Sequence, residues 1–158
     1  MAPVTPESPT EDLIVHIVNR YHEGLRNDMP TLIALAQKVE RVHAEVPDAP
    51  LGLAGRLQRL FSEMESHMYK EEMILFPAMA QGGMPGIEGP ISVMRADHDD
   101  HSVIVSQIRA VTRDLTLPEG ACGSWTRLYA DVGRMLDDLD AHTRLENEIL
   151  FPRFEAAA

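Results

Sequence analysis

The chain of 158 residues is long enough for one domain with a real core and too short for two comfortable ones. Aromatic residues make up only 5%, leucine and methionine are plentiful, and valine and isoleucine do not alternate with polar residues, which argues for helices rather than sheet. A formal net charge of −11 repels polyanions, so neither nucleic acid nor an anionic membrane is expected as a partner.

Cys122 is the only cysteine, so no intrachain disulfide can form. The opening MAPVTPESPTEDL has no basic start and no apolar run, unlike a signal peptide or a membrane anchor, and the cytoplasm is the expected compartment. Residues 1–10 are expected to be flexible, and 11–158 to form the single domain.

Proline and glycine divide that domain into four helical segments. Thr10 is placed to cap a first helix over about 10–46, in which Pro30 marks a kink or a new first turn. PDAP separates it from a second helix over about 51–80. GGMPGIEGP leads to a third over about 91–115, and TLPEG opens a fourth over about 119–154. Short connections between long helices favour an all-α, up-down-up-down four-helix bundle.

Each segment carries an apolar stripe at alternating steps of three and four. The first reads Val15, Val18, His22, Leu25, Met29, Leu32, and the second Leu57, Leu60, Met64, His67, Glu71, Ile74. The third includes Ile91, Met94, His98, His101, Val105 and Ile108; the fourth runs from Trp125 and Leu128 through Leu139, His142, Glu146 and Ile149. Ligand-type side chains therefore interrupt all four stripes. His22 and His98 lie near helix starts, whereas His67, Glu71, His142 and Glu146 lie about ten residues before helix ends. With a rise of ~1.5 Å per residue, antiparallel stacking brings these six to one level in the interior.

Burying two carboxylates and four imidazoles together costs several kcal/mol per uncompensated charge. A pair of divalent cations reverses that sign: each glutamate can bridge both ions while each ion takes terminal imidazoles. Imidazole and carboxylate without thiolate favour iron, with manganese and zinc as substitutes.

Two copies of His-x-x-x-Glu followed by ILFP, at His67 and His142, resemble the hemerythrin-like metal-binding domain. RYH, KVERVHAEVP, SHMYKEEMILFPAM, GPISVMRADHD, PEGACGSW and LDDLDAHTRLENEILFPRF are similar to stretches of the repair-of-iron-centres (RIC) proteins, non-haem di-iron proteins associated with restoring iron–sulfur clusters after nitrosative or oxidative damage. The resemblance covers the chain from Leu13 to Phe154. It implies His22 and His142 on one iron, His67 and His98 on the other, and Glu71 and Glu146 bridging both, with an oxo or hydroxo bridge expected between the ions. RIC proteins usually carry a cysteine-containing domain ahead of the bundle, and this sequence passes almost directly into its first helix.

His101, three residues after His98, is either an additional ligand or a group just behind the ligands. Oxygen-carrying hemerythrins, which use five histidines, space the corresponding pair four apart. His43 follows His22 by 21 residues, ~32 Å along a continuous helix, and is assigned to the far end of the bundle. His16 lies off the stripe, and Asp97 and Asp99 read as solvated or supporting carboxylates. Cys122 is too far from His142 to join it and reads as a small buried side chain. Phe76 and Phe151 are expected to close the bundle beside the metals, and Pro77 and Pro152 to end or bend their helices.

Two functions follow. An RIC-like stress protein would bind O2 or NO and help to rebuild damaged iron–sulfur proteins. A hemerythrin-type carrier or sensor would bind O2 or NO reversibly, and a fifth histidine would favour it. An enzymatic variant, reduction of nitric oxide or removal of peroxide, stays open.

Overall fold

The computed structural model describes residues 3–155. Four long helices pack as an up-down-up-down bundle, with no strand among the described residues. Helix α1 covers 10–42, α2 covers 53–80, α3 is Glu88–Val111, and α4 covers 123–150 with a closing 3-10 turn at Phe151–Phe154. Among the described residues, no helix is long and apolar enough to cross a membrane.

Helix ends differ from the sequence expectation where local chemistry decides them. Pro9, not Thr10, occupies the α1 N-cap without a side-chain bond, and the Thr10 hydroxyl instead accepts from Arg153 Nη1 at 3.1 Å. Arg153 also donates to the Pro6 carbonyl, and Val4 packs on the apolar end of the bundle, so residues ahead of α1 are in contact with the fold. Pro30 stays inside Glu23–Val42 and neither breaks nor reverses the helix. Helix α4 begins at Gly123, because Gly120 takes a left-handed φ of 78° and keeps Pro118–Gly120 in the turn. Cys122 is consequently the N-cap and is exposed; the expectation of a buried thiol is wrong, since the cap side chain lies outside the first helical turn.

Three helices contain a π-helical turn, at Ile17–His22, Glu71–Leu75 and Leu145–Leu150. A π turn holds one more residue than an α turn, so positions on its two sides fall out of phase by roughly 100°. Ile74 is therefore 56% exposed and Leu75 takes its inward place, while Leu150 does the same for the half-buried Ile149. On α1, Leu13 and Ile17 replace the predicted Val15 and Val18, and Val15 is 48% exposed. These turns reset the apolar stripes at the height of the histidines.

Apolar burial is split into two clusters. The larger one, toward one end, contains Leu32, Leu57, Trp125, Val132 and Leu136; the smaller, at the other end, contains Leu13, Phe76, Ile91, Leu150 and Phe151. Polar side chains occupy the layer between them.

Candidate metal centre

His22, His67, Glu71, His98, His142 and Glu146 meet in that layer, and all are almost completely removed from water. They fall into two groups, His22–Glu71–His142–Glu146 and His67–Glu71–His98–Glu146, each with candidate ligand atoms within 4.8 Å of one another. The two groups share both carboxylates. Glu71 Oε1 stands 3.3 Å from His22 Nε2 and 3.4 Å from His67 Nε2. Glu146 reaches His142 Nε2 at 2.9 Å through one oxygen and His98 Nε2 at 3.0 Å through the other.

The backs of the rings define their chemistry. His22 Nδ1 donates to Glu72 Oε2 at 2.8 Å, His67 Nδ1 to Asp97 Oδ2 at 3.1 Å, and His98 Nδ1 to Asn147 Oδ1 at 2.9 Å. These oxygens act as acceptors, so each Nδ1 carries a hydrogen, and each ring turns a lone pair inward once its Nε2 is free of a proton. Nε2 of His22, His67 and His98, both oxygens of Glu71 and one of Glu146 are buried without a hydrogen-bond partner. Buried polar atoms left without partners cost free energy that cations would recover. The donor set therefore fits a pair of hard or borderline cations.

Glu72 and Asn147 were not singled out from the sequence, although each directly follows a shared glutamate. Asp97 likewise directly precedes His98. Arg26 fixes Glu72 with bonds of 2.8 and 3.2 Å, and Arg95 grips the Asn147 carbonyl at 3.0 Å. Burial raises the Glu72 carboxyl, but Arg26 and His22 outweigh it and hold the group below its ordinary pKa. Replacing Glu72 or Asn147 by alanine is expected to weaken metal binding by about tenfold to a hundredfold, read as the chelator concentration that half-empties the protein.

Phe76 stacks on His22 at 5.9 Å and Phe151 on His98 at 6.0 Å, so both ILFP phenylalanines seal the layer as expected. Pro77 lies within the first turn of the helical stretch Phe76–Ala80 and Pro152 within Phe151–Phe154.

Electrostatics among these side chains are unequal. Burial, then the neighbouring Glu146, push the Glu71 carboxyl well above its usual range. Burial also raises Glu146, but His142 and the bonds from His142, His67 and His98 more than offset it and hold the carboxylate well below that range. His67 is lowered by burial and raised further by Glu146 and Glu71, to about 11. Burial, then His142, lower His22 to about 4. An ionised Glu146 thus faces a protonated His67.

His101 is buried beside the layer, its ring 5.2 Å from that of His67, but it belongs to neither group of ligand atoms. Burial, then His67 and His98, lower its pKa to about 4. His43 lies against Trp125 at the far end and donates from Nδ1 to the Val39 carbonyl at 2.8 Å, ending α1. His16 meets the ring of Tyr21 edge-on at 5.5 Å. Asp99 is exposed.

Residues 13–154 match the hemerythrin HHE cation binding domain, and the chain belongs to that family. Among individual proteins, it is 48% identical over 145 residues to the iron-sulfur cluster repair protein YtfE of Salmonella typhimurium, with 92% of this chain and 66% of the relative aligned. YtfE of Salmonella paratyphi B and of Salmonella newport align with the same identity and coverage. The chain thus spans slightly less than two thirds of those relatives.

Proposed function

We propose that this chain is a non-haem di-iron protein of the nitrosative and oxidative stress response that supports the repair of iron–sulfur clusters. In this reading His22 and His142 hold one iron, His67 and His98 the other, and Glu71 and Glu146 bridge them. The observation that carries it is the pair of His2Glu2 groups with shared carboxylates and inward atoms that lack partners. Similarity to iron-sulfur cluster repair proteins supports the biological role. Bound iron would supply the vacant positions for O2 or NO. The residues would orient the imidazoles, fix their tautomers and keep the layer dry between the two phenylalanines. Damaged iron–sulfur proteins are the proposed partners.

Iron analysis of anaerobically purified protein, followed by incubation with an apo iron–sulfur protein, tests this. Near two irons per chain and recovery of the cluster spectrum are expected; an empty chain, or a full one that transfers nothing, argues against it.

A second reading, reversible carriage or sensing of O2 or NO, is favoured by His101, whose buried Nδ1 has no partner among the described residues. His101→Ala is expected to leave two irons per chain and an unchanged optical spectrum. Loss of iron or of a reversible O2 adduct would select the carrier.

A further inference from the structure

His142 is held differently from the other three histidines. Among the described residues, no side-chain oxygen stands behind its Nδ1 in the place that Glu72, Asp97 and Asn147 take for His22, His67 and His98. The ring of Tyr21 covers it instead, stacked at 5.6 Å and 14°. Arg20 lies 5.1 Å from the Tyr21 ring centre and forks onto Asp138 of α4 at 3.1 and 3.2 Å.

Tyr21 and His142 both line a cleft of about 510 Å³ between α1 and α4, walled also by Leu25, Asp131 and Met135. A second groove, of about 400 Å³ between α2 and α3, ends on Asp97 and His101 and reaches none of the six inward residues. The Arg20–Asp138 pair over the first cleft is 52% and 46% exposed, so water and salt screen it and it is a weak latch.

We propose that Tyr21 is the positioning residue for His142, and that the ion held by His22 and His142 is the exchangeable member of the pair, passing through the α1–α4 cleft. The inference rests on the di-iron reading above and gives it a direction. A ligand ring held by stacking rotates more easily than one locked by a hydrogen bond to a fixed oxygen, and His142, though buried, is the one of the four rings that lines the α1–α4 cleft. The opposite ion would be held by His67 and His98, both locked.

Protein loaded with two ferrous ions per chain and challenged anaerobically with excess ferrozine tests this. One ion per chain is expected to leave about tenfold faster than the other. Tyr21→Ala should speed the fast phase by about a further tenfold and leave the slow phase unchanged, and Tyr21→Phe, which keeps the ring, should match the parent. Asp97→Ala should speed only the slow phase. Asp138→Asn, an exposed substitution that leaves the core intact, should speed the fast phase a few-fold and carries the test if Tyr21→Ala does not fold. A single release phase in the parent, or equal acceleration of both phases by Tyr21→Ala or Asp138→Asn, overturns the inference and leaves the two-ion site standing. A chain that never holds two ions overturns both.

Discussion

Glu71→Gln and Glu146→Gln are each expected to cut bound iron from two ions per chain to fewer than one, yet to act oppositely on the metal-free protein. Both remove a shared ligand, so neither group of four keeps its donor set. Without metal, however, burial and then Glu146 favour the neutral form of Glu71, and an amide copies the shape and bonding of a neutral acid. Its replacement should change metal-free stability by less than about 1 kcal/mol. Glu146 is ionised and faces His67, whose pKa is raised to about 11. Removing that charge strands a buried imidazolium, at a cost of about 3–5 kcal/mol. Thermal unfolding in the presence of a chelator should separate the two by ~10 °C. Equal losses in both variants would mean that the cavity does not hold one charged carboxylate and one neutral one.

Loading the protein with metal is expected to raise its melting temperature by about 15 °C or more. An ion bound only by the folded state contributes about 4 kcal/mol at a free concentration a thousandfold above its dissociation constant, and there are two positions. The gain should shrink as pH falls. In the metal-free protein His67 carries a proton at neutral pH and the raised pKa of Glu71 favours its protonated form, and ligation must displace these protons. Rising pH therefore favours metal. Each displaced proton weakens the combined binding about tenfold per unit of acidification, measurable by competition with a chelator at pH 7 and pH 6. Proton release on loading should be at least one per chain. Binding that does not depend on pH over this interval would contradict the assigned protonation.

The bundle and the six inward residues were legible because burial leaves a rhythm. On the α4 stripe from Trp125 to Glu146, steps of three and four turn each predicted residue into the core. The π turns left no such mark. An added residue in a turn changes no composition, and its only trace is that the rhythm slips between His22 and Ile17, or between Glu71 and Leu75. Extrapolating the stripe across those points put Val15 and Ile74 inside, and both are exposed. Glu72, Asn147 and Tyr21 escaped for a different reason: they stand next to stripe positions in sequence and make their contacts sideways, to rings on other helices. A comparison of the two halves would have found them. Tyr21-His22 parallels Asp97-His98, and Glu71-Glu72 parallels Glu146-Asn147, so the flanking residues repeat along with the ligands. His101 has no counterpart in the first half, where Leu25 stands at the corresponding offset from His22.

The polar layer divides the oily interior into a large compartment around Trp125 and a small one around Phe76 and Phe151. Cooperative unfolding requires that the two feel each other, and little apolar contact spans the gap. Bound ions, shared by side chains of all four helices, would join them. Stripped of its ions, the protein should behave as two folding units of unequal strength, with amides near Leu13, Met79 and Ile91 exchanging hydrogen well before those flanking Leu57 and Val132. Iron occupancy would then set how much of the molecule breathes.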